Sequence, residues 1–154
     1  MEQLRSGKGT HQGVYPHRHY EKDYCNGTPV EFLVCKDPRG RIVGFTGRIL
    51  GDGMPKYMNT GETEYFIKRY LLFGLDIAVA EIRKTRQAIV VEGHMDAISL
   101  HAAGVTNAVA SMGTAFAAEQ ARLLKRMADE VVFCYDSDSA GRNASVRAVS
   151  IARA

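Results

Sequence analysis

Two apolar runs that break off in carboxylates constrain this chain more than any other feature. In the first, Ala88-Ile89-Val90-Val91 leads straight into Glu92-Gly93-His94-Met95-Asp96. In the second, Val131-Val132-Phe133-Cys134-Tyr135 leads into Asp136-Ser137-Asp138-Ser139-Ala140-Gly141. Short runs without polar alternation read as strands buried on both faces, the pattern of a parallel sheet covered by helices. Ligands of such sheets lie beyond the carboxyl ends of the strands, where these acids fall. Carboxylates gathered at neighbouring strand ends repel one another unless a cation lies between them. An all-oxygen set selects magnesium or manganese.

The pattern around the runs alternates. Strand 88–91, helix 94–103, strand 108–111, helix 116–127, strand 131–135 and helix 140–154 form a β-α-β-α-β-α series. That series predicts an α/β domain with a parallel sheet, flanking helices and right-handed crossovers. Met95, Ile98 and Ala102 mark the apolar stripe of the first helix, and Leu123, Leu124 and Met127 part of that of the second. Upstream, 30–35 and 41–50 read as a β-hairpin closed by the turn Asp37-Pro38-Arg39-Gly40. A turn at Gly51-Asp52-Gly53 and a polar loop over 55–63 follow, then a helix over 66–83, continuous or broken near Gly74. Residues 1–29 show no period and read as a loop-rich, disordered arm. The expected organisation is α+β overall: an arm (1–29), a small β-hairpin and helix subdomain (30–85), and an α/β domain (86–154). No strand follows the last helix, so the sheet is expected to be incomplete at that end.

At 45% hydrophobic and 24% charged, the 154 residues suffice for a core. A net charge of +3 is too mild to identify a nucleic-acid partner by itself. Lys36, Arg39, Arg41, Arg48 and Lys56 cluster within a hairpin and a loop. Alone, they read as a solvated edge that blunts strand pairing, ahead of a phosphate-binding ridge. Cys25, Cys35 and Cys134 form no CxxC pair. A reducing cytoplasm is therefore expected, with Cys134 a small core residue of its strand. His17, His19 and Cys25 match no zinc spacing, so no zinc site is expected. No apolar run approaches the roughly 18 residues of a spanning helix, so neither a signal peptide nor a membrane segment is expected.

Glu92 has no evident structural role at the end of a buried strand, where an unpaired carboxylate is costly. Asp96, in the first turn of the next helix, suits a supporting role toward orphan amides. Asp136 and Asp138, one residue apart, point to the same side in extended backbone and would bind a cation or raise one another's pKa. Alternatively, Asp138 or Ser139 caps the last helix. Gly93 lets the backbone turn sharply with no side chain in the way, while Gly113 is either a turn residue alone or an opening for the close approach of a phosphate or metal. Phosphate-receiving regulatory domains also cluster aspartates there, but they pair a single phosphorylated Asp with a Lys near another strand end. Here Glu92 opens the set and no such Lys is placed.

With these motifs in hand, the chain resembles the Toprim fold, and specifically the bacterial DnaG-type DNA primase family. Gly40 to Leu50, Pro55-Lys56-Tyr57-Met58-Asn59-Thr60, Phe66-Ile67-Lys68 and Leu72-Phe73-Gly74-Leu75 extend the resemblance, which covers roughly Asp37 to Ala154. It implies synthesis of short RNA primers from ribonucleoside triphosphates on a single-stranded DNA template by two-metal nucleotidyl transfer. Glu92, Asp136 and Asp138 would hold Mg2+ or Mn2+. Arg48, Lys56, Asn59 and Lys68 would meet template phosphates or the incoming triphosphate, which favours the phosphate ridge over the bland edge. Gly93, Asp96 and Gly113 would shape the site. The family's replicative helicase partner binds a domain outside these residues. Its zinc ribbon and a further Asp-x-Asp lie outside them as well, and Thr28 to Cys35 replaces a Phe-Pro-Ile strand. The expectation is an incomplete core, priming weakly or not at all. The alternatives are an inactive remnant that only binds single strands and a small Toprim-type nuclease. The Gly-Arg hairpin and the Pro-Lys-Tyr loop favour primase over the nuclease.

Overall fold

The computed structural model describes residues 22–25, 28–50, 57–112 and 115–154. The sequence assignments at His17, His19, Gly51 to Lys56 and Gly113 lie outside these residues. The first sheet is antiparallel, in the order β1 (Lys22–Cys25), β2 (Thr28–Lys36), β3 (Ile42–Ile49) and β4 (Tyr57–Asn59). Its hairpin forms because Asp37 organises the turn. Oδ1 of Asp37 accepts the backbone N–H of Arg39 and of Arg41, each at 2.9 Å, while the Arg41 guanidinium reaches Oδ2 at 2.7 Å. Burial works against the charge on Asp37, but these donors prevail and hold its pKa below the usual carboxylate value.

Two strands fall where the sequence suggested none. β1 and the start of β2 occupy part of the stretch read as an arm, and β4 part of the stretch read as a polar loop. An edge strand needs main-chain bonds to a formed neighbour more than an apolar face of its own. Beyond β4, Thr60 Oγ1 accepts from Phe45 N at 2.8 Å and donates to Phe45 O at 3.0 Å.

The expected helix over 66–83 is half present. Leu71, Leu72 and Phe73 are all buried, which consecutive residues on one helix face cannot be. The segment instead makes one 3-10 turn at Lys68–Tyr70, then pairs Phe73 with Ala110. Gly74, at φ 80°, turns the chain into α1 (Leu75–Thr85), a left-handed conformation that costs a glycine little.

β5 (Gln87–Val91), α2 (His94–Ala102), β6 (Ala108–Ala110), α3 (Ala118–Lys125), β7 (Glu130–Cys134) and α4 (Ser139–Arg153) follow in the predicted alternation. Their strands make a parallel sheet in the order β6-β5-β7. One face, with Ala88, Val90 and Val109, packs against Leu75, Ile82, Leu124 and Ala148 of the helices. The other, with Val91 and Ala110, packs against Ala97 of α2 and against Leu33, Cys35 and Phe66 from the first sheet and its seam. Each fully buried aliphatic side chain contributes about 1.5–3 kcal/mol. At the amino ends of the strands, the main-chain oxygen of Arg86 accepts from Asp129 N and Glu130 N, and its guanidinium grips the Asp129 carboxylate. No helix among the described residues is long and apolar enough to cross a membrane.

Cys134 departs from the core role expected of it and is exposed. Among the described residues, the face of β7 bearing Val131 and Phe133 is packed, as is Tyr135 just beyond it, while Val132 on the opposite face is 38% exposed. An apolar run therefore overstated the burial of an outer strand. Cys35 is the buried thiol, its pKa pushed up to about 12 by desolvation.

Candidate functional site

The strand order places a topological switch between β5 and β7. From β5 the chain crosses to β6 on one side, then returns to β7 on the other. Crevices of this kind open at the carboxyl ends of the strands, and Glu92 and Asp136 end the neighbouring segments there. Val91 pairs with Cys134, which brings Glu92 level with Tyr135. The backbone N–H of Asp136 donates to Glu92 Oε1 at 3.3 Å, joining the two acidic motifs directly.

The loop after β7 is tightly held. Asp138 caps α4, its Oδ1 accepting from Gly141 N at 2.7 Å, and Arg142 donates to the carbonyl of Ser137. The capping alternative weighed from sequence thus describes one oxygen of Asp138. Asp96 caps α2, its Oδ2 accepting from Gly93 N at 3.1 Å. Gly93 is in extended backbone that any residue can adopt. Its value is space, since a Cβ there would lie 3.0 Å from Asp96 Oδ2.

The donor set of Glu92, Asp136 and Asp138 is entirely carboxylate oxygen, which fits a hard divalent cation. Among the described residues, no group of three or more such side chains is gathered closely enough to hold one. The chemistry of these side chains fits such an ion, and they do not converge in this structure. No zinc-type cluster occurs among the described residues either.

Arg48 and Asn59 come from the antiparallel sheet. Arg48 pairs with Tyr57 and Thr46 with Asn59 across β3 and β4, so Arg48, Tyr57 and Asn59 share one face. That face turns toward the acidic site. The Tyr57 ring meets the His94 ring edge-on, with centroids 5.1 Å apart, and Phe73 meets His94 from another side at 5.7 Å. His94 directly follows Glu92-Gly93, so the aromatic contact carries β4 to the start of α2. Lys68 sits in the 3-10 turn, and no ion pair holds Arg48 or Lys68 among the described residues. Lys56 and Gly113 lie outside the described residues.

Sequence reasoning assigned no role at the site to Tyr135, Tyr57 or Gln120. The Tyr135 hydroxyl is buried with no hydrogen-bond partner among the described residues. Burial and then the Glu92 charge push its pKa up to about 12. Gln120 was visible in principle, as the polar residue four positions before Leu124 on the buried stripe of α3.

A parallel sheet with carboxylates at the switch point, flanked by helices, defines a Toprim-type domain, and residues 89–154 match the family described as Toprim-like. Residues 32–79 match the DNA primase catalytic core, N-terminal domain. The chain belongs to the DnaG-type DNA primase family, of whose catalytic core it carries these parts. It is 50% identical over 118 residues to a DNA primase of Clostridium acetobutylicum, covering 76% of this chain and 20% of that protein. With a DNA primase of Synechococcus elongatus the identity is 51% over 115 residues, 73% of this chain and 17% of the relative. The chain therefore spans about a fifth of the curated relatives it matches. The E. coli primase catalytic core superposes with a TM-score of 0.75 at 42% identity, over 80% of this chain and 39% of that one. A DnaG primase catalytic domain bound to single-stranded DNA superposes at 0.74 and 41% identity, over 80% of this chain and 40% of that one.

Proposed function

We propose that this chain carries the nucleotidyl-transfer centre of a primase, extending RNA primers from ribonucleoside triphosphates on a single-stranded DNA template. The observation that carries this reading is the direct junction of the acidic motifs, Asp136 N on Glu92 Oε1, at the switch point. In the reaction a ribose 3′-hydroxyl attacks the α-phosphorus of the incoming nucleotide. A P–O bond forms, the bond to pyrophosphate breaks, and the hydroxyl proton leaves to solvent. Glu92, Asp136 and Asp138 would hold Mg2+ or Mn2+. When bound, such ions stabilise the attacking and leaving oxygens of an in-line displacement. Arg48, Asn59, Lys68 and Lys56 would meet phosphates of template or nucleotide, and Asp96, Gly93 and Gly113 would hold the shape around them. The DNA-bound relative supports the template assignment.

The test is incorporation of labelled ribonucleotides on a single-stranded template with Mg2+ or Mn2+. Glu92→Gln is expected to abolish incorporation and leave binding of the template in place. A second reading, a module that binds single strands without catalysis, is favoured by the unconverged carboxylates. It expects no incorporation by the parent chain, with salt-dependent binding that Glu92→Gln leaves unchanged. Metal-dependent cutting of DNA without ribonucleotides would overturn both readings in favour of a nuclease.

A further inference from the structure

Gln120 is wholly buried on the apolar stripe of α3. A leucine would fill that position, so the amide has to be explained by what it bonds. Its Oε1 accepts from Ala117 N at 3.0 Å, at the start of its own helix. Its Nε2 donates to Leu71 O at 2.7 Å and to Lys68 O at 3.2 Å, crossing the seam to the 3-10 turn. Lys68 and Leu71 belong to the segment that matches the primase N-terminal core, and Gln120 to the Toprim-like segment. The amide is therefore a fully satisfied polar link between the two.

The link bears on one residue in particular. Lys68 N donates to Glu62 Oε1 at 3.2 Å, and Lys68 O accepts both Leu71 N and the Gln120 amide. With its main chain held on both sides, the direction in which the Lys68 side chain leaves the backbone is fixed relative to α3. α3 in turn follows β6, the strand beside β5, which leads to Glu92.

We propose that Gln120 is a positioning residue for Lys68. It fixes the ridge lysine relative to the acidic centre, so that a phosphate held by Lys68 lies in register with Glu92 and Asp136. The inference rests on the reading of Lys68 as a phosphate contact, and the test separates the two. Binding of the chain to an oligothymidylate is measured as a function of salt for the parent, Lys68→Ala, Gln120→Met and the double variant. One lost phosphate contact on a single strand lowers the slope of log K against log[salt] by about 0.7. Lys68→Ala is expected to show that loss, Gln120→Met to show it too, and the double variant to show it once. If Lys68→Ala leaves the slope unchanged, the phosphate reading falls and this inference with it. If Lys68→Ala lowers the slope but Gln120→Met does not, or if the two losses add, Gln120 serves packing alone and the inference is overturned. Gln120→Glu gives a second route should the methionine variant not fold. It keeps the acceptor for Ala117 N and loses the donation to Lys68 and Leu71, and it is expected to match Gln120→Met.

Discussion

Gly141 packs so closely beneath Asp136 that a Cβ on the glycine would stand 2.1 Å from the Asp136 carbonyl oxygen. The backbone of one residue of the acidic motif is thus seated on the first turn of α4, with no room for a methyl group. Main-chain atoms cannot swing aside as a flexible side chain can. Gly141→Ala is expected to push the 136–138 loop away from Glu92, costing about 1–3 kcal/mol of stability and most of any nucleotide incorporation. Urea unfolding and the incorporation assay check the two effects. A fully active, equally stable variant would mean that α4 can shift without disturbing Asp136.

The hairpin turn should carry an acid limb in the stability profile. The pKa of Asp37 is lowered in the folded chain, its bonds to Arg41 and Arg39 outweighing its burial. Its contribution is therefore complete above the unfolded carboxylate value of about 4 and is lost as pH falls through the lower folded value. Denaturant midpoints measured down that range should fall less steeply in Asp37→Asn than in the parent chain. Parallel curves for the two proteins would count against this assignment.

Thiol chemistry should distinguish Cys134 from Cys35. In a Cys25→Ser background, an alkylating reagent near pH 8 is expected to modify the exposed Cys134 in the folded protein. Cys35, buried and with its pKa pushed up to about 12, should react only after unfolding. Mass mapping of the labelled peptides with and without denaturant checks this.

Tyr135→Phe removes a buried hydroxyl that has no hydrogen-bond partner among the described residues. Leaving such a group unsatisfied costs about 1–3 kcal/mol, so the variant is expected to be more stable than the parent by up to that amount. Thermal unfolding decides the sign. A destabilised variant would show that the hydroxyl has an acceptor after all.

Much of the architecture was readable because its signals are local. The runs ending at Val91 and Tyr135 located β5 and β7 to within a residue, and the turn at Asp37 located the hairpin. What escaped depends on partners far along the chain. Tyr57–Asn59 is a strand because β3 offers an edge, not because three mixed residues prefer extension. Phe73 is extended because Ala110 pairs with it. Cys134 looked buried because an apolar run does not say how many faces of its sheet are covered. At the site, the acids were legible as strand-end residues, as was Asp96 as a cap. Gln120 showed only as a polar residue on an apolar stripe, because the bonds that explain it reach back to Lys68 and Leu71, about fifty positions earlier.

The pairing of β5 with β7 has a consequence for how the centre can fail. Neighbouring strands run about 4.8 Å apart, so the spacing of Glu92 and Asp136 is inherited from a ladder of main-chain bonds that ends at Val91 and Cys134. Among the described residues, β7 is held by that ladder on one side only. Fraying of its last rungs would separate the acids before any helix melts, so any nucleotide incorporation should be lost at a lower temperature than the fold. Amide exchange at Phe133 and Cys134 would then report on the competence of the centre more faithfully than circular dichroism does.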